Sequence, residues 1–79
     1  MHLRVKLFAT LRSYRAETEP GVPFALEVQE GSTVADLIRT LRLPEEDVRI
    51  IFVNGRARPP NWVLENDDEV GMFPPVGGG

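Results

Sequence analysis

Thr33-Val34-Ala35-Asp36-Leu37-Ile38-Arg39-Thr40-Leu41 is the stretch that decides the fold. Val34, Leu37, Ile38 and Leu41 recur at i, i+3, i+4 and i+7, so one stripe of a helix faces a core. Gly31-Ser32-Thr33 marks its start. Thr33 and Asp36 have the spacing of a capping box, although Asp is a poorer partner there than Glu. Arg39 and Arg42 stand toward the C-terminal end, where cations suit the helix dipole. Pro44 limits how far the helix continues.

The flanking sequence reads as strand. Leu3, Val5 and Leu7 alternate with Arg4, Lys6 and Phe8, the two-residue period of a half-buried strand. Leu11, Arg12 and Tyr14 follow as a short helical turn. Glu19-Pro20-Gly21-Val22-Pro23 is loop material, and Phe24, Leu26 and Val28 then form a second alternating strand. Val48 to Val53 is almost continuously apolar, which predicts a central strand. Asn54-Gly55 predicts a type I′ hairpin, and Pro59-Pro60 stops the return strand, since proline donates no ladder bond. Trp62-Val63-Leu64 is an apolar cluster on a connection, and Asn66-Asp67-Asp68 is a turn. Val70 and Met72 define the inward face of a last strand, Glu69 to Phe73.

One helix among four to five strands gives an α+β class, a main helix packed on a mixed sheet. This is an economical two-layer solution for 79 residues. The expected organisation is a globular domain over 1–73 and an extended tail over 74–79. A chain this short hides only about 60% of its unfolded surface.

Composition narrows the function. There is no Cys, hence no disulfide, thiolate metal site or thiol nucleophile, and one His, at position 2, cannot build a metal cluster. A net charge of −3 argues against nucleic-acid binding, which normally shows a basic surplus. No apolar run approaches the roughly 18 residues of a membrane span. These features fit a cytoplasmic protein, and an adaptor, carrier or subunit rather than an enzyme acting alone.

The tail is the unusual element. Gly77, Gly78 and Gly79 cannot build a core, and glycine is costly to order. A frayed end is one reading. The other starts from Pro74-Pro75, which favour a stiff extended neck. Six extended residues reach about 20 Å, enough to place an unhindered Gly79 carboxylate in a partner's channel. That carboxylate needs activation, and the chain has neither a P-loop nor G-x-G-x-x-G. A separate ATP-using enzyme would supply it.

Leu7-Phe8-Ala9-Thr10-Leu11-Arg12 resembles the F-A-x-[LV]-R opening of the MoaD sulfur carriers. Asn66-Asp67-Asp68-Glu69-Val70 and Phe73-Pro74-Pro75-Val76-Gly77-Gly78-Gly79 resemble that family's D-G-D-E-V and F-P-P-V-x-G-G segments. ThiS carriers share the fold and the diglycine end but lack the Pro-Pro-Val neck. The resemblance implies the β-grasp fold of ubiquitin, with first and last strands parallel and adjacent. It also implies a mechanism. A MoeB-like adenylyltransferase uses ATP and Mg²⁺ to form an acyl-adenylate at Gly79, and a sulfurtransferase or sulfide donor converts this to a thiocarboxylate. The carrier then docks on a MoaE-like large subunit, in a heterotetramer, and gives sulfur to cyclic pyranopterin monophosphate. No cofactor or metal is held by the chain itself. The alternatives are a ubiquitin-like modifier forming isopeptide bonds, or a carrier for thiamin, tungsten cofactor or cysteine synthesis.

Strand alternation points Phe8 and Phe73 outward. The adjacent first and last strands that the resemblance implies would bring them onto one open sheet face, and the family's matching phenylalanines belong to its docking surface. Otherwise they tuck under a loop or cover the sheet edge. The resemblance extends the partner-binding set to Arg12, Pro74, Pro75, Val76 and Gly77, with Gly78 and Gly79 at the reacting end. Arg12 is equally readable as a solvated helix-end residue. Ala57 is smaller than the apolar residue that family members often carry nearby, and Asn66-Asp67-Asp68 lacks the usual turn glycine. Trp62 reads as a cover for the core or as a binding anchor. Glu45-Glu46-Asp47 reads as a solvated turn or a steering patch. Lys6 is the only lysine, and His2 reads as solvent-facing.

Overall fold

The computed structural model describes residues 1–15 and 22–75. Strand β1 is His2–Leu7, β2 Phe24–Glu27, β3 Ile50–Val53, β4 Arg56–Ala57 and β5 Glu69–Phe73; helix α1 is Val34–Thr40. Short 3-10 turns cover Ala9–Arg15 and Glu45–Asp47. The five strands form one mixed sheet in the order β2-β1-β5-β3-β4. β1 and β5 run parallel, with Val5 opposite Val70 and Leu7 opposite Met72. The other neighbours are antiparallel. This is the ubiquitin-like β-grasp fold, one main helix on a five-stranded mixed sheet.

The core is the meeting of two periods. Leu3, Val5, Leu7, Ile51, Val53, Val70 and Met72 point from the sheet toward Val34, Leu37 and Ile38 of α1, and all are buried. Leu11 and Leu64 close the cluster from the connections. At about 25 cal/mol per Å² of apolar area removed from water, these side chains dominate the stability of a domain this small.

Local chemistry sets the ends of α1. Both halves of the capping box form: Thr33 Oγ1 accepts from the Asp36 amide, and the Asp36 carboxylate accepts from the Thr33 amide at 2.9 Å. Asp36 therefore suffices where Glu is the stronger choice. The Thr33 backbone and hydroxyl hold the Asp36 carboxyl below the ordinary carboxylate value, against slight desolvation, and its ion pair with Arg39 adds to the effect. The helix stops before Pro44 exerts any effect. Arg42 takes φ +58°, its amide bonds the Arg39 carbonyl, and the Leu43 amide bonds the Ile38 carbonyl. That is a left-handed C-terminal cap with arginine where glycine is favoured.

Two expectations are corrected. The apolar run Val48 to Val53 is not the central strand. β3 begins only at Ile50 and lies second from the edge, while β5 occupies the centre. Val48 instead ends the Glu45–Asp47 turn, and the short β4 leaves Ile50 41% exposed. Trp62 does not cover the core. Leu64 takes the buried place, and Trp62 remains 36% exposed with the Arg58 guanidinium 3.9 Å from its ring centroid. The Arg58 cation holds the indole at the surface.

Candidate functional site

β5 links the core to the end of the chain. Its odd and even residues face opposite ways: Val70 and Met72 into the core, Glu69, Gly71 and Phe73 onto the uncovered face. β1 behaves likewise, and the Phe8 amide bonds the Met72 carbonyl at 3.1 Å, extending the parallel ladder past Leu7. Phe8 is therefore fixed beside the last turn of β5. Its ring stacks on Phe73 with centroids 4.1 Å apart and planes 7° from parallel.

A third ring completes the patch. Phe52, on β3 opposite Gly71, meets Phe73 edge-on at 5.7 Å. Stacked and edge-to-face pairs of this kind contribute about 0.5–1.5 kcal/mol beyond area burial. Ile50, opposite Phe73, and Ala57, opposite Phe52, widen the apolar surface. All three rings remain half-exposed. The expected pairing of Phe8 and Phe73 on one open face is present, and among the described residues neither ring tucks under a loop.

Gly71 makes the patch possible. A Cβ there would stand 3.3 Å from the Phe8 ring and 3.9 Å from that of Phe73. Glycine within a strand commonly marks such a close approach, which was the available clue in the sequence. Ala9 turns the chain directly after Phe8 with φ +52°, a left-handed conformation that an alanine adopts with strain.

The charged rim is modest. Lys6 Nζ lies 5.4 Å from the Phe8 centroid, a cation over a ring face. Arg4 and Glu69 approach to 3.9 Å with both side chains half in solvent, so the pair adds little stability. His2 is exposed, as expected. Arg12 is exposed on the Ala9–Arg15 turn and makes no ion pair among the described residues.

A buried carboxylate holds the register of β5. Asp68 is 7% exposed and accepts bonds from Asn54 Nδ2 and from the Glu65 amide, both at 2.8 Å. Asn54 Oδ1 in turn accepts from the Glu69 amide at 2.9 Å. Asn54 also begins the β3–β4 hairpin with φ +53°, followed by Gly55 at +83°, the expected type I′ turn. Asp67 supplies φ +69° in the turn that lacks glycine. The Asn54–Asp68–Glu69 network thus aligns the strand that presents Phe73. It was not legible in the sequence, where Asp68 looks like any solvated turn acid.

Pro74 is half-buried and Pro75 exposed. Val76, Gly77, Gly78 and Gly79 lie outside the described residues. Among the described residues no group of three His, Cys, Asp or Glu side chains could hold a metal ion, and no helix is long and apolar enough to cross a membrane. The arrangement suits binding: an apolar, preorganised surface at the root of the C-terminal segment.

Comparison with known proteins places this geometry. Residues 5–79 match the model of the ThiS family. The chain is similar to a solved structure from Pyrococcus furiosus described as "putative molybdopterin converting factor, subunit 1", at 32% identity over 96% of this chain and 99% of that one, TM-score 0.76. It is similar to small archaeal modifier protein 1 of Methanosarcina acetivorans at 25% identity, over 99% and 96% of the two chains, TM-score 0.66. A structure of Helicobacter pylori molybdopterin-converting factor, with subunits 1 and 2 in complex, matches at 22% identity over the full length of both chains, TM-score 0.63. No curated protein matches the sequence.

Proposed function

The chain belongs to the ThiS family of small ubiquitin-like sulfur carriers, and from that premise we propose that it is the sulfur-carrying small subunit of a molybdopterin synthase. The carrying observation is the Phe8–Phe52–Phe73 patch at the root of a segment reading Pro-Pro-Val-Gly-Gly-Gly. The Pyrococcus relative supports the same assignment, and the Helicobacter complex supports a MoaE-like large subunit as partner.

In this reading the globule is a docking handle and the tail is the reagent. A MoeB-like enzyme, with ATP and Mg²⁺, couples the Gly79 carboxylate to AMP and releases pyrophosphate. Sulfide, or a sulfurtransferase persulfide whose acyl disulfide is then cleaved by a reducing thiol, displaces AMP and leaves a terminal thiocarboxylate. Phe8 and Phe73 seat on the partner, with Arg12 at the margin. Pro74, Pro75 and Val76 form the neck that projects Gly77, Gly78 and Gly79 into a channel too narrow for side chains, where sulfur passes to cyclic pyranopterin monophosphate. Catalytic groups belong to the partners.

Reconstitution tests it. The thiocarboxylated chain, mixed with a MoaE-like subunit and cyclic pyranopterin monophosphate, should yield the dithiolene product and return to the carboxylate. Unchanged pyranopterin with a competent large subunit would refute the assignment. A protein-modifier reading has one support, the Methanosarcina neighbour. It predicts instead isopeptide-linked remnants of this C-terminus on cellular lysines.

A further inference from the structure

A second surface lies on the helix side of the sheet, away from the aromatic patch. Ile38, Val48, Ile51 and Pro59-Pro60 wall a cavity of about 420 Å³ between α1 and the β3–β4 edge. Its charged lining is Arg49, Arg58 and Glu45, a surplus of one cation in a chain whose net charge is −3. Neither arginine forms an ion pair among the described residues, and Glu45 forms none with them.

Arg58 is the unusual member. Its backbone is pinned, the amide bonding the Ile51 carbonyl at 2.9 Å. Its guanidinium lies 3.9 Å from the Trp62 centroid, and its Nε is buried with no hydrogen-bond partner. A guanidinium held against a ring has already lost much of its rotamer freedom, so a carboxylate meeting its Nη groups costs less ordering. The orphaned Nε leaves the cation under-solvated, which strengthens attraction for an anion at that place. Tryptophan and arginine together, beside an apolar cavity, are the residue types that dominate binding energies.

We propose that this cavity is a second protein-docking site, which takes a partner segment bearing an apolar side chain and, one or two residues away, a carboxylate. The apolar side chain fills the space between Ile38, Val48 and Ile51. The carboxylate pairs with Arg58, and Arg49 adds attraction at the rim. Charge selects the occupant: an acid is favoured at the arginine end, whereas a basic segment meets two unpaired cations. The inference does not depend on the chemistry of the tail.

Trp62 is the only tryptophan and reports on Arg58 directly. The probe is the peptide acetyl-Leu-Asp-Leu-Glu-amide, titrated into the full chain while tryptophan fluorescence and amide NMR shifts are followed. Expected are shifts at Ile38, Val48, Ile51 and the Trp62 indole, weakened by salt. The neutral acetyl-Leu-Asn-Leu-Gln-amide should bind about tenfold more weakly, as should acetyl-Leu-Asp-Leu-Glu-amide with Arg58→Gln. Arg49→Gln, which removes no contact of the fold, should weaken binding severalfold and secures the test should Arg58→Gln unfold. No shift at millimolar peptide, equal binding of the neutral peptide, or shifts confined to Phe8, Phe52 and Phe73 would overturn the proposal. So would the same cavity shifts appearing without peptide, whether on deletion of residues 76–79 or on raising protein concentration. Those results would make the chain's own tail, or a second copy, the occupant.

Discussion

The two faces of the sheet are made by the same strands and do different work. Toward α1, β1, β3 and β5 present Leu3, Val5, Leu7, Ile51, Val53, Val70 and Met72, all buried aliphatic or thioether side chains. On the other face, β1 and its extension, β3 and β5 present Lys6, Phe8, Phe52, Gly71 and Phe73, with no helix above them among the described residues. The covered face is aliphatic and buried. The open face is aromatic and half-exposed. A single residue of offset along β5 separates Met72, buried in the core, from Phe73, half-exposed on the open face and assigned to docking by the proposed function. An open aromatic surface of this kind normally marks an interaction site.

The comparison breaks most clearly with paired truncations. Met72→Ala leaves a cavity in the centre of the sheet and should cost about 2–5 kcal/mol of stability, read from the denaturant midpoint. Phe73→Ala, one residue on, should cost only about 1 kcal/mol in the same measurement, mainly the lost ring contacts. Its docking to a MoaE-like subunit should weaken by about 2 kcal/mol or more, read by titration calorimetry. If Phe73→Ala unfolds the chain as readily as Met72→Ala, the division between faces is wrong.

Asp68→Ala probes how the faces are aligned. It strands Asn54 Nδ2 and the Glu65 amide and should cost about 1–3 kcal/mol, with the largest amide shifts at Glu69 and in the β3–β4 hairpin. Arg42→Gly relieves a left-handed arginine at the end of α1 and should stabilise the protein by up to about 1 kcal/mol without touching the open face. The smallest effect concerns Asp36. Its carboxyl lies below the unfolded value, so its contribution is complete above the unfolded value, about 3.9, and is lost as pH falls through the folded one. In Asp36→Asn, acid titrations of stability should lack that component, while docking is unchanged.

What could be read from the sequence follows from how local the signal is. Two-residue alternation in β1 and β5, the Thr33–Asp36 capping box and the Asn54-Gly55 turn are set by neighbours along the chain, and each was legible. So was the placement of Phe8 and Phe73, which needs only strand period and the parallel pairing of two strands. Phe52 was not, because Ile50-Ile51-Phe52-Val53 is apolar throughout and its period defines no outward side. The same run suggested a central strand, whereas burial on one face already satisfies it. Trp62 misled through its size: the position beside Arg58 is decided by tertiary contact, and the smaller Leu64 fills the core. Arg42 carries no glycine signal for its left-handed turn, and Asp68 acquires its partners only when the hairpin meets β5.

In the proposed function the tail carries the chemistry, while the globule before it carries the fold. The direct measurement is intact mass after incubation with a MoeB-like enzyme, ATP and a sulfur donor, on the full chain and on one lacking Gly78-Gly79. One oxygen-for-sulfur exchange is expected in the full chain, none in the truncated chain, and the same cooperative unfolding midpoint for both. An unmodified full chain in the presence of a competent enzyme, or a truncated chain that loses its fold, would contradict that division.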